Sequence, residues 1–333
     1  MPCTQCTAHV DPEAVSPLLA NRLIALDKCP GVRPIGIGDT ARRIIAKAAL
    51  TIAKDDIMDA AGALQMCAGQ IAGCEAAAHS VREHFQKTET EAALLVDASY
   101  AFNSLNRMTA LHNVRHLCPS LSTILINSYR AHSDLYIDGE VLHSQEGTTQ
   151  GDPLAMPFYA LATVPLITKL SDSVDQIWYA DDAAATGKIS YLRSWWDDIV
   201  THGPSFGYFA NASKTWLVVK PTFCDEASEI FGDTDVKITC EGRPYLGSAL
   251  GSRSYTSDFV TGKVEQWTKE LKSLSKIATS QPHAAFATYT HGMASKWSYI
   301  SRTIPDITEH FTKFRGYNPL RIYTIYHRPI TTK

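Results

Sequence analysis

Two adjacent carboxylates, Asp181 and Asp182, interrupt an otherwise apolar stretch of the chain. Residues 177–179 and 183–185 predict two short buried strands, with the acids at the turn between them. Neighbouring side chains on a strand point to opposite faces, so adjacent acids can serve one site only where the backbone turns. Such close carboxylates repel, which raises the pKa of one or recruits a cation, and Mg²⁺ prefers all-oxygen ligands. For an isolated pair, the alternative is a solvated turn without function.

Other residues of suitable chemistry lie elsewhere in the chain. Asp97 ends the apolar run 92–96, and an acid at the end of a buried strand is costly unless a partner such as a metal offsets its charge. Lys28 and Arg33 lie on a predicted hairpin around a Pro-Gly turn, where two cations suit a polyphosphate. Gln150 and Gly151 lie in a Gly-rich loop, for which a simple helix-entry loop is the alternative.

Short strands and amphipathic helices alternate around these residues. An Asp138-Gly139 turn predicts a hairpin of residues 135–137 and 141–143, and further strands are predicted at 216–219 and 236–239. A turn follows at 245–248. The predicted helices cover residues 40–57, an Ala-rich stretch to 86, 106–117, 120–131, 154–170, 190–202 ended by Gly203-Pro204, 257–274 capped by Ser257 or Asp258, and 282–300.

The 333 residues have an ordinary globular composition, with 45% hydrophobic and 20% charged residues and a formal net charge of −3. Residues 241–333 carry 13 Lys and Arg against 6 Asp and Glu, or +7, which leaves 18 − 28 = −10 for residues 1–240. The acidic part holds the candidate metal ligands. The basic part could follow a phosphate backbone, although a solvated helix face is the alternative.

The sequence shows no run of about eighteen apolar residues and no signal-peptide pattern at its start, so we expect an intracellular protein, with nucleus and cytoplasm indistinguishable. The eight cysteines are scattered and predict reduced thiols, not a disulfide framework. Cys3, Cys6 and His9 have the spacing of zinc ligands but no fourth partner, and a frayed terminus is the alternative.

Six of these features occur in an order that resembles the reverse transcriptases of retrotransposons, of the non-LTR and group II intron type. The motifs that carry the resemblance are residues 97–103 (DASYAFN), residues 150–154 (QGDPL), residues 179–182 (YADD), residues 211–215 (NASKT), the turn 245–247 (YLG) and the hairpin with residues 33–35 (RPI). The resemblance covers about residues 23–250, which is compatible with a fragment of a mobile-element protein.

This resemblance implies an α+β right-handed polymerase fold, with an antiparallel palm sheet backed by helices, partial fingers and a partial helical thumb. The implied boundaries are an N-terminal tail at 1–22, fingers at 23–91, a palm with inserted fingers elements at 92–250, a thumb or connection at 251–303, and a tail of unknown structure at 304–333.

The resemblance also implies residue roles. Asp97, Asp181, Asp182 and the carbonyl of Ala98 would hold two Mg²⁺ ions, with Mn²⁺ as a substitute. Lys214 would assist the pyrophosphate leaving group, Lys28 and Arg33 would hold the triphosphate, and Gln150 and Gly151 would pack against the templating pair. Tyr100 and Phe102 would contact the incoming nucleotide, with Phe102 excluding a ribose 2′-hydroxyl. The implied partners are an RNA template, a DNA primer and dNTPs, with no membrane.

Departures from the family pattern leave other functions open. Asn103 stands where relatives usually have Asp, which affects a supporting hydrogen bond and not the metal site. The fingers and thumb regions are short. The alternatives are a decayed or domesticated palm that binds nucleic acid or protein without catalysis, and a polymerase that copies DNA.

Overall fold

The computed structural model describes residues 8–28 and 31–311. The predictions for Cys3, Cys6 and most of the 304–333 tail therefore lie outside the described residues. The chain divides into two compact units. The first contains the chain up to Leu217 and Asp225–Ile238, and the second contains Val218–Cys224 and the chain from Thr239 onward. Within the described part of the chain, none of the helices combines the length and apolar character needed to cross a membrane.

A five-stranded sheet carries the predicted acids, in the order β6-β7-β3-β8-β9. Strand β3 is buried at all five positions, as its uninterrupted apolar sequence predicts. Both β3 and β6 pair with β7 in the antiparallel sense. The strands of this sheet are β3 (Ala92–Val96), β6 (Asp175–Tyr179), β7 (Asp182–Gly187), β8 (Trp216–Val219) and β9 (Lys237–Thr239).

Helices back this sheet and fill the core of the first unit. Helix α4 contacts β3, β6 and β7, while α9 contacts β3 and β7. Helix α8 packs on α3, α6 and α9, and ten of its thirteen residues are buried, which explains why its sequence is apolar all round. These helices are α3 (Lys54–Ala61), α4 (Gly73–Gln86), α6 (Arg107–Leu117), α8 (Ala155–Ile167) and α9 (Ile189–Phe206).

A second sheet of the first unit has the order β2-β1-β4-β5 and consists of the two predicted hairpins. In the second hairpin, both Asp138 and Gly139 have positive φ, the conformation that an Asp-Gly hairpin turn requires. Strands β1 and β4 are parallel and join the hairpins. The strands are β1 (Asn21–Asp27), β2 (Val32–Gly38), β4 (Ser133–Ile137) and β5 (Glu140–Ser144).

The remaining helices of the first unit include one at the predicted tail. Helix α1 covers Pro12–Leu19, with Asp11 as its cap and with Val15 and Leu19 buried. The prediction of a tail over 1–22 is therefore wrong for residues 12–22, because two apolar residues four positions apart give this helix a face to bury. The others are α2 (Thr40–Ile52), α5 (Ala101–Ser104), α7 (Pro119–Tyr129) and α10 (Cys224–Phe231).

Helix α9 extends beyond its predicted end at residue 202. It continues through Gly203 and Pro204 to Phe206 and ends at Gly207, which has a φ of 78°. Pro204 cannot donate a backbone hydrogen bond, but so close to the end of the helix this loss disturbs few other helical hydrogen bonds. A side chain at Gly207 would also collide with the carbonyl of Ser104, so the glycine that ends the helix is Gly207.

The second unit combines a small hairpin with helices. Strands β10 (Gly242–Tyr245) and β11 (Ser248–Gly251) flank the predicted turn at 245–248. Helix α11 (Arg253–Ile277) begins with Ser252 as its cap, so the predicted caps Ser257 and Asp258 are wrong. Val260, Val264 and Trp267 of this helix form a core cluster with Ile300 and Ile304. Helices α12 (Pro282–Thr288) and α13 (Ala294–Thr303) are joined by a π-helical turn, Tyr289–Met293.

One cysteine pair contradicts the prediction of reduced thiols. Cys224 and Cys240 form a disulfide with their Cα atoms 6.6 Å apart. Their separation of 16 residues in sequence gave no sign of this pairing, which depends on how the chain returns after α10. Among the described residues, Cys67, Cys74 and Cys118 are not part of a disulfide.

Candidate active site: an aspartate cluster on the five-stranded sheet

Strand register brings the three predicted acids to one end of the sheet. Val96 at the end of β3 pairs with Ala183 of β7, so Asp97 and Asp182 continue the same register as neighbours. Tyr179 of β6 pairs with Asp182, and Ala180 and Asp181 form the turn between these strands. The predicted hairpin of residues 177–185 is thus confirmed, with the acids at its turn.

The carboxylates disturb each other's ionisation. Desolvation by burial, followed by repulsion from Asp181 and Asp97, raises the pKa of Asp182 to about 7. Burial also raises the pKa of Asp181, and Asp97 adds to this effect. Burial and mutual repulsion therefore disfavour the ionised forms of Asp181 and Asp182, a cost that a bound cation would offset.

The turn that holds Asp181 is fixed from outside the hairpin. Ala180 has a φ of 55°, an uncommon conformation for a residue other than glycine. Its amide donates to Oε1 of Gln65 at 2.7 Å, and its carbonyl accepts from Nε2 of Gln65 at 3.1 Å. Tyr208 donates its hydroxyl to the carbonyl of Asp181 at 3.0 Å. The backbone around the acids is consequently held on both sides.

Gln65 was missed in the sequence, where the Ala-rich stretch to residue 86 was interpreted as helical scaffold. Its side chain is fully buried, and the amide of Met66 donates to the carbonyl of Trp178 at 2.8 Å. The segment therefore pairs briefly with β6 between helices α3 and α4. Gly62 and Gly69 flank this segment with positive φ values, and these two glycines were the available signal of the break in the sequence.

Asp97 is joined to the lysine motif by backbone pairing. Ala98 forms a bridge with Ala210, in which Asn211 donates its amide to the carbonyl of Asp97 at 2.8 Å. The Asn211 carbonyl accepts from the Lys214 amide at 3.1 Å. This turn brings Nζ of Lys214 to 3.9 Å from Oδ1 of Asp97. Both side chains are about half exposed, so the ion pair itself is weak.

The two predicted nucleotide-contacting aromatic residues differ in their surroundings. Tyr100 has a φ of 50° and is 83% exposed. Phe102, two residues later, stacks on Tyr159 of α8 with ring centroids 4.5 Å apart. Tyr159 is almost fully buried, so it gives Phe102 a fixed support.

The loop with Gln150 and Gly151 packs against the first hairpin. The carbonyl of Gln150 accepts the amide of Gly36 at 2.8 Å, and Nε2 of Gln150 donates to Oδ1 of Asn103 at 3.2 Å. Gly151 has a φ of 106°, and a Cβ there would overlap the Gly36 carbonyl. Only glycine meets both requirements. Asn103, which stands where the family usually has Asp, thus accepts a supporting hydrogen bond from the Gln150 side chain.

A buried ion pair anchors the same loop. Asp152 Oδ2 lies 2.6 Å from Nη2 of Arg42 and accepts from the hydroxyl of Tyr129 at 2.5 Å. The charged side chains are 5% and 1% exposed, so removing either partner alone would leave a buried charge. Burial, first, and then the charge of Asp152 raise the pKa of Tyr129 well above its ordinary value.

Lys28 and Arg33 lie on the exposed hairpin of β1 and β2. Their positive charges lower the pKa of Asp181, against the larger opposite effect of burial. The two cations therefore act electrostatically on the aspartate cluster.

The donor chemistry of the cluster fits a hard divalent cation. Its side chains offer carboxylate oxygens only, and the pKa values of Asp181 and Asp182 are raised, so a cation would relieve the cost of ionising them. The two hydrogen bonds beside Ala98 use the Asp97 carbonyl and the Ser99 amide, so the bridge does not use the Ala98 carbonyl. In the described chain, the three aspartates do not form a set whose ligand atoms all lie within 4.8 Å, so their side chains would rotate inward to share one ion.

No protein-family model matches this chain, and neither does any curated protein sequence. Among solved structures, the chain is similar to telomerase from Candida tropicalis in complex with a fragment of telomeric RNA, with a TM-score of 0.54 and 11% identity. It is also similar to the corresponding complex from Candida albicans, with a TM-score of 0.53 and 10% identity. The matches cover 94% and 99% of this chain.

The chain spans 57% and 66% of the length of these two telomerase chains. At such low identity the similarity concerns the fold alone. The chain has a telomerase-like polymerase fold, a mixed α+β architecture of antiparallel sheets backed by helices, as the sequence predicted.

Proposed function

We propose that this chain is the polymerase part of a reverse transcriptase from a retrotransposon-type element, which extends a DNA primer with dNTPs on an RNA template. The observation that carries the proposal is the meeting of Asp97, Asp181 and Asp182 at one end of an antiparallel sheet in a polymerase fold. The motif order along the sequence supports the retrotransposon assignment. The telomerase neighbours, which were solved with RNA, support an RNA partner.

In this proposal the aspartates hold two Mg²⁺ ions, which Mn²⁺ can replace. The bound ions would activate the primer 3′-hydroxyl and neutralise charge on the phosphates. The contribution of the aspartates is to supply a partly desolvated cluster of carboxylates, whose turn is held by Gln65 and Tyr208.

The remaining residues bind and orient the nucleotide. Lys28 and Arg33 hold the triphosphate as a point charge and a forked donor, respectively. Lys214, beside Asp97, neutralises the leaving pyrophosphate. Phe102 stacks on the sugar, while Gln150 and Gly151 form the surface behind the templating base pair.

Primer extension tests this proposal directly. Oligo(dT) annealed to poly(rA), with dTTP and either Mg²⁺ or Mn²⁺, should be extended by the wild-type chain. Asp181→Asn should lower the rate by about 100-fold or more and leave binding of the primer–template unchanged, because the acid acts on the transition state. Asp172→Asn, at an exposed aspartate of the same unit, is the matched control and should keep full activity.

The same assay separates the alternatives. A parallel reaction on poly(dA) identifies a polymerase that copies DNA. Binding of primer–template without any difference in extension between wild type and Asp181→Asn would overturn the enzymatic proposal. That outcome would favour the decayed palm, a module that binds nucleic acid without catalysis.

A further inference from the structure

Three potential metal ligands share one face of the hairpin formed by β4 and β5. Asp134 of β4 lies directly opposite His143 of β5 in the antiparallel register. His132 precedes β4 and lies two residues before Asp134, so it projects from the same face. The hairpin register therefore places a His-x-Asp pair across from a third ligand.

The side chains converge. Nδ1 of His143 lies 2.9 Å from Oδ1 of Asp134, and the rings of His132 and His143 have centroids 4.9 Å apart. One ligand atom from each of the three residues lies within 4.8 Å of the other two. In the described part of the chain, no other set of three His, Cys, Asp or Glu residues meets this criterion.

This spacing suits a tetrahedral transition metal. Zinc with bonds of about 2.0–2.1 Å to nitrogen and oxygen holds its ligand atoms about 3.3–3.4 Å apart, and small side-chain rotations reach that value from the present arrangement. Two imidazoles and one carboxylate favour zinc over Mg²⁺ or Ca²⁺, which prefer oxygen ligands. The alternative is a simple cross-strand hydrogen bond between His143 and Asp134. Such a bond is weaker than metal coordination, and it gives no role to His132.

We propose that His132, Asp134 and His143 form a zinc site with three protein ligands and an open fourth position. Both histidines are exposed and Asp134 is partly exposed, so zinc can enter from solvent and a water molecule or a further ligand can complete the tetrahedron.

The position of the site gives it a structural consequence. β5 is an edge strand, and the proposed ligands lie at the end of the hairpin opposite the Asp138-Gly139 turn. Turn and metal would together fix both ends of this hairpin, whose edge strand β5 is exposed at four of its five positions. The site is separate from the aspartate cluster and does not depend on the proposed polymerase activity.

Zinc titration of the full chain by isothermal calorimetry tests the site, with His132→Asn, Asp134→Asn and His143→Asn as ligand variants. Each should lower the affinity of one zinc equivalent by at least about 10-fold. His79 is exposed on α4 and is not part of this cluster, so His79→Asn is the matched control and should bind zinc like wild type. Circular dichroism of every variant checks that the fold is retained.

A chelator experiment gives a second, independent readout. EDTA should lower the melting temperature of zinc-loaded wild type and of His79→Asn, but not that of the ligand variants. The proposal is overturned when the ligand variants bind as many zinc equivalents, with the same affinity, as wild type. Loss of zinc binding in the control as well would assign the zinc to other histidines and equally contradict the proposal.

Discussion

At the scale of single residues, the main feature is the high cost of ionising Asp182. Its pKa is raised to about 7 by burial and by the neighbouring Asp181 and Asp97. Between about pH 4 and 7 the folded chain thus holds a proton that the unfolded chain has released. The carboxyl group therefore destabilises the folded state increasingly as pH rises through this window, and the full cost is present above it.

Asp182→Asn should relieve that cost in the absence of divalent metal. In EDTA, the variant should melt at a higher temperature than wild type at pH 8, and the difference should shrink as the pH falls to 5. Thermal melts at a series of pH values measure this effect. Asp172→Asn controls for the removal of one charge, and a gap that stays constant between pH 5 and 8 would contradict the assignment.

The stacked ring of Phe102 makes a prediction about sugar choice. If the proposed function is correct, Phe102→Ala opens the space beside the sugar while Tyr159 stays in place. The preference for dTTP over UTP, measured as a ratio of kcat/KM values, should fall by at least about 10-fold. Phe209→Ala, at an aromatic residue that is 46% exposed, is the control. An unchanged ratio in Phe102→Ala would contradict the role given to this ring.

At the scale of elements, the turn between β6 and β7 depends on a segment distant in sequence. Ala180 adopts a strained φ that an isolated hairpin would not maintain, and Gln65 satisfies both of its backbone polar groups. The segment between α3 and α4 is therefore part of the site, although it holds none of the acids.

Gln65→Met keeps the approximate volume of the side chain and removes its hydrogen bonds. The buried amide of Ala180 then loses its partner, so the free energy of unfolding should fall by about 1–3 kcal/mol. Urea denaturation measures this change, and primer extension should weaken with it as the acids lose their fixed position. Gln70→Met is the control, because the side chain of Gln70 forms a long hydrogen bond of 3.4 Å to the carbonyl of Gly62 and does not hydrogen-bond to the Ala180 turn in the described part of the chain. Equal stability of the two variants would contradict the role of Gln65 in holding the turn.

At the scale of the whole molecule, charge is divided along the sequence. Residues 241–333 carry a charge of +7 and the rest of the chain −10, by the counts of Lys, Arg, Asp and Glu given above. The second unit therefore contains most of the excess of Lys and Arg over Asp and Glu, and part of this excess lies on the long helix α11. A nucleic acid bound by this part of the chain would be held largely by its phosphates.

Binding of primer–template should consequently weaken with salt. A footprint of about three phosphates predicts a loss of about 40-fold in affinity between about 50 and 200 mM salt. Fluorescence anisotropy of a labelled duplex measures it. Replacing Lys263 and Lys269 of α11 by Gln should reduce the salt slope, whereas Lys54→Gln in the first unit should not. If none of these substitutions changes the dependence of affinity on salt concentration, the phosphate contacts lie elsewhere.

Many elements were predictable from local sequence patterns. The Asp138-Gly139 turn, the buried run of β3 and the helix over residues 106–117 each depend on residues a few positions apart, and the structure confirms them. The end of α9 was not predictable, because its glycine is selected by the approach of Ser104 from another helix. Neither was the disulfide between Cys224 and Cys240.

The same distinction applies to the candidate sites. Sequence alone determined the identity of the acids, the turn that carries two of them and the motif order that indicates a polymerase fold. Only the tertiary structure decided that Asp97 neighbours Asp182, that Gln65 holds Ala180, and that His132 and His143 meet at Asp134. Backbone preferences act over a few residues, whereas these contacts are set by strand register and packing between segments that are separated along the chain.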